Sequence, residues 1–266
     1  NNVKQEEGSG KSYEASGTTI TFSAAVSSGD SCYLVYMGSA QQTVTAPAGS
    51  IVSSQFSSAD LVLPKTVTIG SAAEEDTKLV FDGNAQDFHI GLDDSADDLV
   101  IGKGSALGTT THMAFTEDGE VTKPLQPSFL VYKNPNQSNM ATDTTVTVTF
   151  ENEVFDVGTN FASNTFTAPV TGKYLLGTTL ILGQPSTAAA YVSVIIKTSN
   201  RDYTATLNDY DAFDSTAVYF SAGRTFVCDM DAGDTAFVGV YQGGGSATTD
   251  IYASTTGSIF FGHLLG

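Results

Sequence analysis

An all-β fold is what this sequence predicts, and three observations predict it. Only 15% of the 266 residues are charged, so long helices would lack the straight-chain charged surface they need. Thr, Val, Tyr and Phe recur in short alternating runs, the pattern of half-buried strands. The 26 glycines, with Asn, Asp and Pro, punctuate those runs at the spacing of tight turns.

Charge and cysteine content narrow the function classes. The formal net charge is −18, and three copies would carry three times that, −54. Such a surface repels phosphate backbones and anionic membranes, so nucleic acid is not an expected partner. It suits solubility in salty water, or a basic or cation-bridged partner. No apolar run approaches the roughly 20 residues that span a bilayer, so no membrane insertion is expected. Cys32 and Cys228 stand far apart with no Cys-x-x-Cys, which points away from zinc and from a disulfide framework; both read as small buried hydrophobes. No signal peptide is visible and the chain starts at Asn1, as a fragment or processed form would.

Three regions follow along the chain. Residues 1–63 read as a small β module with a linker, 64–123 as a β-repeat shaft and 124–266 as a head domain. In the first region Ile20 and Phe22 alternate with Thr19 and Thr21, and Cys32, Leu34 and Tyr36 alternate with Tyr33 and Val35. These are expected to pair as a hairpin around Ser28-Gly29-Asp30. Ser53 or Ser54 is placed to cap one short helix within 47–64. In the second region apolar triplets end at Gly70, Gly83, Gly91, Gly102 and Gly119. Each unit is too short to bury its own apolar residues, so strands stack within one chain or interleave among three; a trimeric shaft is the preferred reading. The acidic loops at 74–76 and 93–98 face solvent.

In the third region strands are expected around 129–132, 145–150, 166–168, 173–182, 191–198, 217–220, 225–230, 236–241 and 258–264, which argues for a sandwich or barrel. This segment resembles the globular head of the first complement component and its tumour-necrosis-factor-like relatives. Phe150, Gly158, Phe161, Phe166, Thr167, Ala168, Pro169, Gly172 and Tyr174 fit the family's Phe, turn, aromatic and F-T-A-P-x-x-G-x-Y pattern in order. Gly233 and Asp234 match its G-D-(apolar) hairpin, and Phe261 and Gly262 its closing strand. The resemblance implies a jelly-roll β-sandwich head and homotrimerisation. The near-continuous apolar run from Tyr174 to Leu182 also suggests burial on both faces, one against a neighbouring subunit.

In the front half, residues 16–38 (SGTTITFSAAVSSGDSCYLVYMG) are similar to a module common in phage tail fibres, and the Leu99–Gly102 and Met113–Val121 stretches look like those that precede heads in such proteins. Animal heads of this type usually follow a collagen stalk, and no Gly-X-Y repeat is present. The resemblance therefore implies a viral tail-fibre or appendage protein on the virion surface, bound to other tail or capsid proteins and to a host-surface glycan or protein. A cell-surface or secreted adhesin or lectin with the same head is the alternative, and a glycan-degrading tail spike the third reading.

The residues that carry chemistry fit binding better than catalysis. No Gly-x-Ser-x-Gly elbow is present, neither cysteine has a triad context, and no carboxylate pair stands out, so no enzyme is expected and no catalytic residue is assigned. His89, His112 and His263 lack metal-ligand spacing, and only threefold symmetry would gather copies of His89. No cofactor is expected. Calcium is a minor possibility, with Asp229, Asp231 and Asp234 as ligands, or Asp209, Asp211 and Asp214, or the 93–98 run. For receptor contact the long polar loop 198–216 stands out, with Arg201, Tyr203, Asp209, Tyr210, Asp211, Phe213 and Asp214. Its aromatics give contact area at small entropic cost, and its carboxylates accept from sugar hydroxyls. Gly243–Gly245 with Tyr241 and Tyr252 form a second tip.

Overall fold

The structure, a computed structural model, describes residues 5–33, 65–207 and 219–265. Every regular element among the described residues is a β-strand, which is the all-β class expected. Two compact units are present, Asn1–Thr66 and Val67–Gly266.

In the first unit β1 (Tyr13–Ser16) and β2 (Thr19–Phe22) form a hairpin. Thr19–Phe22 is a strand as the alternation required, and among the described residues its partner is Tyr13–Ser16. The two-residue turn Gly17-Thr18, with Gly17 at φ +60°, closes this hairpin, and so short a loop costs little entropy. Cys32 and Tyr33 lie outside any strand, and Cys32 is exposed rather than buried. Leu34, Tyr36 and the helix expected within 47–64 fall outside the described residues.

The second unit opens with an antiparallel meander of β3 (Thr77–Phe81), β4 (Phe88–Asp93), β5 (Asp98–Lys103), β6 (Thr111–Phe115) and β7 (Val121–Thr122). Four of the glycine-ended triplets become strands, while 66–69 does not. The ladders of these five strands close within one chain. One face is built from small residues: Gly91, Val100, Gly102 and Ala114 surround the fully buried His89. The chain's own 104–110 loop covers it. A Cβ on Gly91 would stand 2.9 Å from Leu107, and one on Gly102 would stand 2.6 Å from both His89 Nε2 and the Thr110 carbonyl. On the other face Leu79, Ile90 and Ile101 align in one row and Leu92, Leu99 and Phe115 in the next.

The head follows, with β8 (Ser128–Lys133), β9 (Thr145–Thr147), β10 (Asn152–Val157), β11 (Phe161–Ala162), β12 (Thr165–Thr167), β13 (Gly172–Gly183), β14 (Tyr191–Thr198), β15 (Asp202–Leu207), β16 (Tyr219–Met230), β17 (Thr235–Gly243), β18 (Asp250–Ile251) and β19 (Ser254–Leu264). One sheet runs β10-β8-β19-β13-β16, with β18 on β13; the other runs β11-β12-β17-β14-β15, with β9 on β17. The first and last strands of the head lie side by side and the chain between them crosses repeatedly from one sheet to the other, which is jelly-roll winding. Ser163 and Asn164, both at positive φ, make the two-residue turn between β11 and β12, and the Asn164 side chain accepts from the Phe150 amide at 2.7 Å.

Four strands of the head, β10, β11, β15 and β18, have no counterpart in the sequence reading. The β10 strand lies at the edge of its sheet, and a register shift between Glu153 and Phe155 breaks its period of two. The β15 strand occupies the first half of the expected receptor loop, pairing Asp202–Leu207 with β14. Phe129 centres the core: its ring stacks on Phe166 at 4.7 Å and Phe161 at 5.3 Å and meets Phe260 edge-on at 4.9 Å. Gly262 leaves room for Phe129 and Leu176, while Phe261 turns outward over Gly177. Lys133, 1% exposed, is the one buried lysine of the core; its Nζ donates to the Thr149 carbonyl at 3.0 Å and Thr149 Oγ1 at 2.8 Å, with Glu151 at 3.5 Å. Burial lowers its pKa, against the pull of Glu151.

Phe129→Ala is expected to destabilise the head by about 3–5 kcal/mol in denaturant unfolding, because the ring is fully enclosed by other aromatics. A change below about 1 kcal/mol would mean that the four rings do not form one packed unit.

Candidate functional site

The head has two ends, and of the expected receptor residues Arg201 and Tyr203 lie at the chain-entry end. At the chain-entry end the Leu264 amide donates to the Pro127 carbonyl and the Leu265 amide to that of Lys173. There the turns 169–172, 199–201 and 231–234 converge. Asn200 Nδ2 donates to Asp234 Oδ2 at 2.8 Å and to the Asp229 carbonyl at 3.0 Å. Asp234 also accepts from the Asp231 amide at 2.8 Å and from Ser199 Oγ at 3.0 Å. Gly233, at φ +92°, gives this hairpin its tight turn. The Asp231 amide above all, then Ser199 and Asn200, holds the Asp234 carboxyl below its ordinary value.

Arg201 and Tyr203 meet on Asp229. The guanidinium pairs with Oδ2 at 2.8 Å and the phenol donates to Oδ1 at 3.2 Å. The Asp229 carboxyl is held low, first by its own backbone amide and then by Tyr203, Arg201 and Lys173. Burial pushes the Tyr203 hydroxyl up to about 12, with Cys228 and Asp229 adding to the effect. Its ring packs beside Phe226 at 5.4 Å and flanks the core, so Tyr203 is largely a structural residue. A shallow cleft of about 330 Å³ lies here, lined by Thr171, Gly172, Lys173, Asn200, Asp229, Met230 and Asp231.

Asp229, Asp231 and Asp234 do share this end. The Asp229 and Asp234 carboxylates are spent on donors of the chain, whereas calcium takes 6–8 oxygens. No group of three or more His, Cys, Asp and Glu placed to hold a metal is found among the described residues. His89 is buried, its Nδ1 donating to the Gly104 carbonyl at 2.8 Å, while Nε2 is without a hydrogen-bond partner. His112 and His263 are exposed.

From Arg201 the strand β15 carries the chain away. Leu207 pairs with Val192, next to the far end of the head, about 20 Å along at strand rise. Asp209, Tyr210, Asp211, Phe213 and Asp214 lie outside the described residues. What stands at the far end is a set of tyrosines. Tyr191 stacks on Tyr241 at 5.8 Å and 21°, and Tyr219 meets Tyr252 edge-on at 5.0 Å. Glycines make their seats: a Cβ on Gly243 would lie 2.8 Å from the Tyr191 ring, and one on Gly183 would lie 1.8 Å from that of Tyr252. Tyr219 is 59% exposed and Tyr191 is 39% exposed. Polar groups surround them: Gln184 Nε2 donates to the Tyr252 hydroxyl at 3.3 Å, and Asp143 accepts from the Gly244 amide at 2.9 Å. Partial burial raises the Tyr241 hydroxyl, and Tyr191 and Asp143 raise it further. Exposed rings flanked by acceptors and donors present a face for stacking and an edge for hydrogen bonds. Tyr241 and Tyr252 were legible in the sequence as a second tip. Tyr191 and Tyr219 were not, because each sits at the start of a strand and joins the others only through pairing.

No protein-family model matches the chain, and no curated protein sequence matches it. Among solved structures, the globular domain of zebrafish complement 1qA protein aligns at 19% identity, over 53% of this chain and 98% of its own, with a TM-score of 0.38. Murine APRIL at pH 8.0 aligns at 16% identity, over 53% of this chain and 99% of its own, also with a TM-score of 0.38. The jelly-roll winding itself rests on the strand ladders described above.

Two measurements test this geometry. Asp234→Asn is expected to lower stability at neutral pH. The wild-type carboxyl titrates below its ordinary 3.8, so its contribution is complete above that pH and lost as pH falls through 3.8 toward the folded value. Urea midpoints of the two proteins should therefore converge in acid, and a gap that does not narrow there would show that Asp234 is not a bonded carboxylate. Second, burial pushes the Cys228 thiol up to about 11, whereas Cys32 is exposed. A thiol reagent at neutral pH should label Cys32 in the native chain and reach Cys228 only after unfolding.

Proposed function

We propose that this chain is a non-enzymatic attachment protein of a virion, a homotrimeric tail-fibre or appendage subunit whose head binds a host-surface glycan or protein. The observation that carries the recognition role is the far end of the head, where Tyr191, Tyr241, Tyr219 and Tyr252 are held on strand ends and seated on glycines. Rigid aromatics lose little entropy on contact, and sugar rings stack on such faces. The site lies opposite the chain-entry end, which leaves it free for a surface while the rest of the particle holds the other end.

Homotrimerisation has its own support in the head. The outer face of the β13 sheet carries Leu130, Leu175, Ile181, Ile259 and Phe261, all only half-buried, with Val227 still 55% exposed. A one-copy sandwich would show polar side chains there. Three heads on one particle would bind by avidity, each contact weak and the set strong. The sequence resemblance to complement-type heads and to phage fibre modules supports the same reading, including the virion surface as its location.

The purified protein is expected to bind surface saccharides on a glycan array and to release no product from them. Tyr191→Ala or Tyr219→Ala should weaken that binding about three- to tenfold, the effect of about 1 kcal/mol of ring contact. An antibody to the head should decorate virion appendages in electron micrographs. Decoration of a cell surface instead would move the protein to the adhesin reading, and steady turnover of a polysaccharide would move it to the depolymerising spike.

A further inference from the structure

The β3–β7 sheet has one covered face and one bare one. The covered face holds His89 and the glycines beneath the 104–110 loop. On the bare face Phe88, Ile90, Leu92, Leu99, Phe115 and Val121 are 36–54% exposed. Leu79 and Phe81 continue it on β3, opposite Ile90 and Phe88. Cross-strand partners point to the same side of a sheet, so these side chains form one surface rather than scattered exposures.

We infer that this face is a second self-association surface, buried against the same face of other copies of this chain. The inference rests on the proposed homotrimer only for the number three. Area is the first argument. At about 150–250 Å² for a large apolar residue, these exposures amount to on the order of 700 Å² per copy, near the roughly 800 Å² that a standard interface takes from each partner. A patch of that size is unusual on a monomer.

Charge is the second argument, and it selects the occupant. The chain carries −18, yet no carboxylate lies on this face; its only charged side chain is Lys103, paired with Phe88. The acids of the sheet lie in its turns: Asp82 and Asp87 between β3 and β4, Asp93, Asp94, Asp97 and Asp98 at the β4–β5 turn, and Glu117, Asp118 and Glu120 between β6 and β7. A basic partner needs carboxylates at the contact, and a nucleic acid or anionic membrane is repelled by the rest of the chain. Another copy meets neither obstacle, since the face is where two such acidic chains approach without facing like charge. Because the strands already pair within each chain, copies meet here side chain to side chain, as sheets about 10 Å apart, rather than by exchanging strands.

The test uses the full chain with a benzophenone amino acid in place of Phe88, irradiated in solution and mapped by mass spectrometry. Attachment to β3–β7 of another copy is expected, in a particle of three times 27.7 kDa. In a second arm, the double variant Leu92→Asp with Phe115→Asp should raise the concentration at which copies separate by tenfold or more. Capture within residues 34–64 of the same chain, or no capture in a particle of three copies, would overturn this inference and leave the homotrimer standing on its head. Capture in a particle of two copies would uphold the face and sink the number three. A single-copy mass at micromolar concentration without capture would sink both.

Discussion

Each sheet in this protein has two faces, and without helices among the described residues only another sheet, a loop or another molecule is left to cover them. The head meets that constraint by closing two sheets on each other through Phe129, Phe161, Phe166 and Phe260. The β3–β7 sheet meets it halfway, with a loop packed on the side where Gly91 and Gly102 allow close approach. The faces left over, on β3–β7 and outside β13, are the surfaces on which association has to be built.

The same constraint sorts the polar residues. Inside the head a polar side chain survives only when fully bonded: Lys133 by Thr149 and Glu151, Gln242 by the Gly244 and Ser246 carbonyls and the Thr249 hydroxyl. At the chain-entry end Asp229 and Asp234 are bonded in the same way, joining the 199–201 turn to β16 and to the 231–234 turn. Groups freer to meet a partner are at the opposite end, where tyrosine rings stand on strand ends with one side open.

Spacing along a strand decides what a sequence can reveal of such a site. Arg201 and Asp209 are close in sequence, and an unbroken polar stretch made them look like one loop. The strand β15 begins at Asp202 and carries the chain to Leu207, toward the other end of the head. Conversely Tyr191 and Tyr241 are fifty residues apart and become neighbours because β14 pairs with β17, Tyr191 facing Gly243.

By itself the sequence determined the all-β class, most of the strands and the turns that end them. Alternation of apolar residues and the placement of Gly, Asn and Asp are local properties, enforced by backbone sterics and by the period of two. It also carried the aromatic and glycine pattern of Phe161, Phe166, Gly172 and Tyr174, since the close packing at the head's centre leaves few alternatives there. Only the tertiary structure decided which strands pair, that 13–16 pairs with 19–22, that Phe260 is core while Phe261 faces out, and which tyrosines share an end. Those outcomes depend on register and winding, where a shift of one residue exchanges inside for outside, and no local pattern records them.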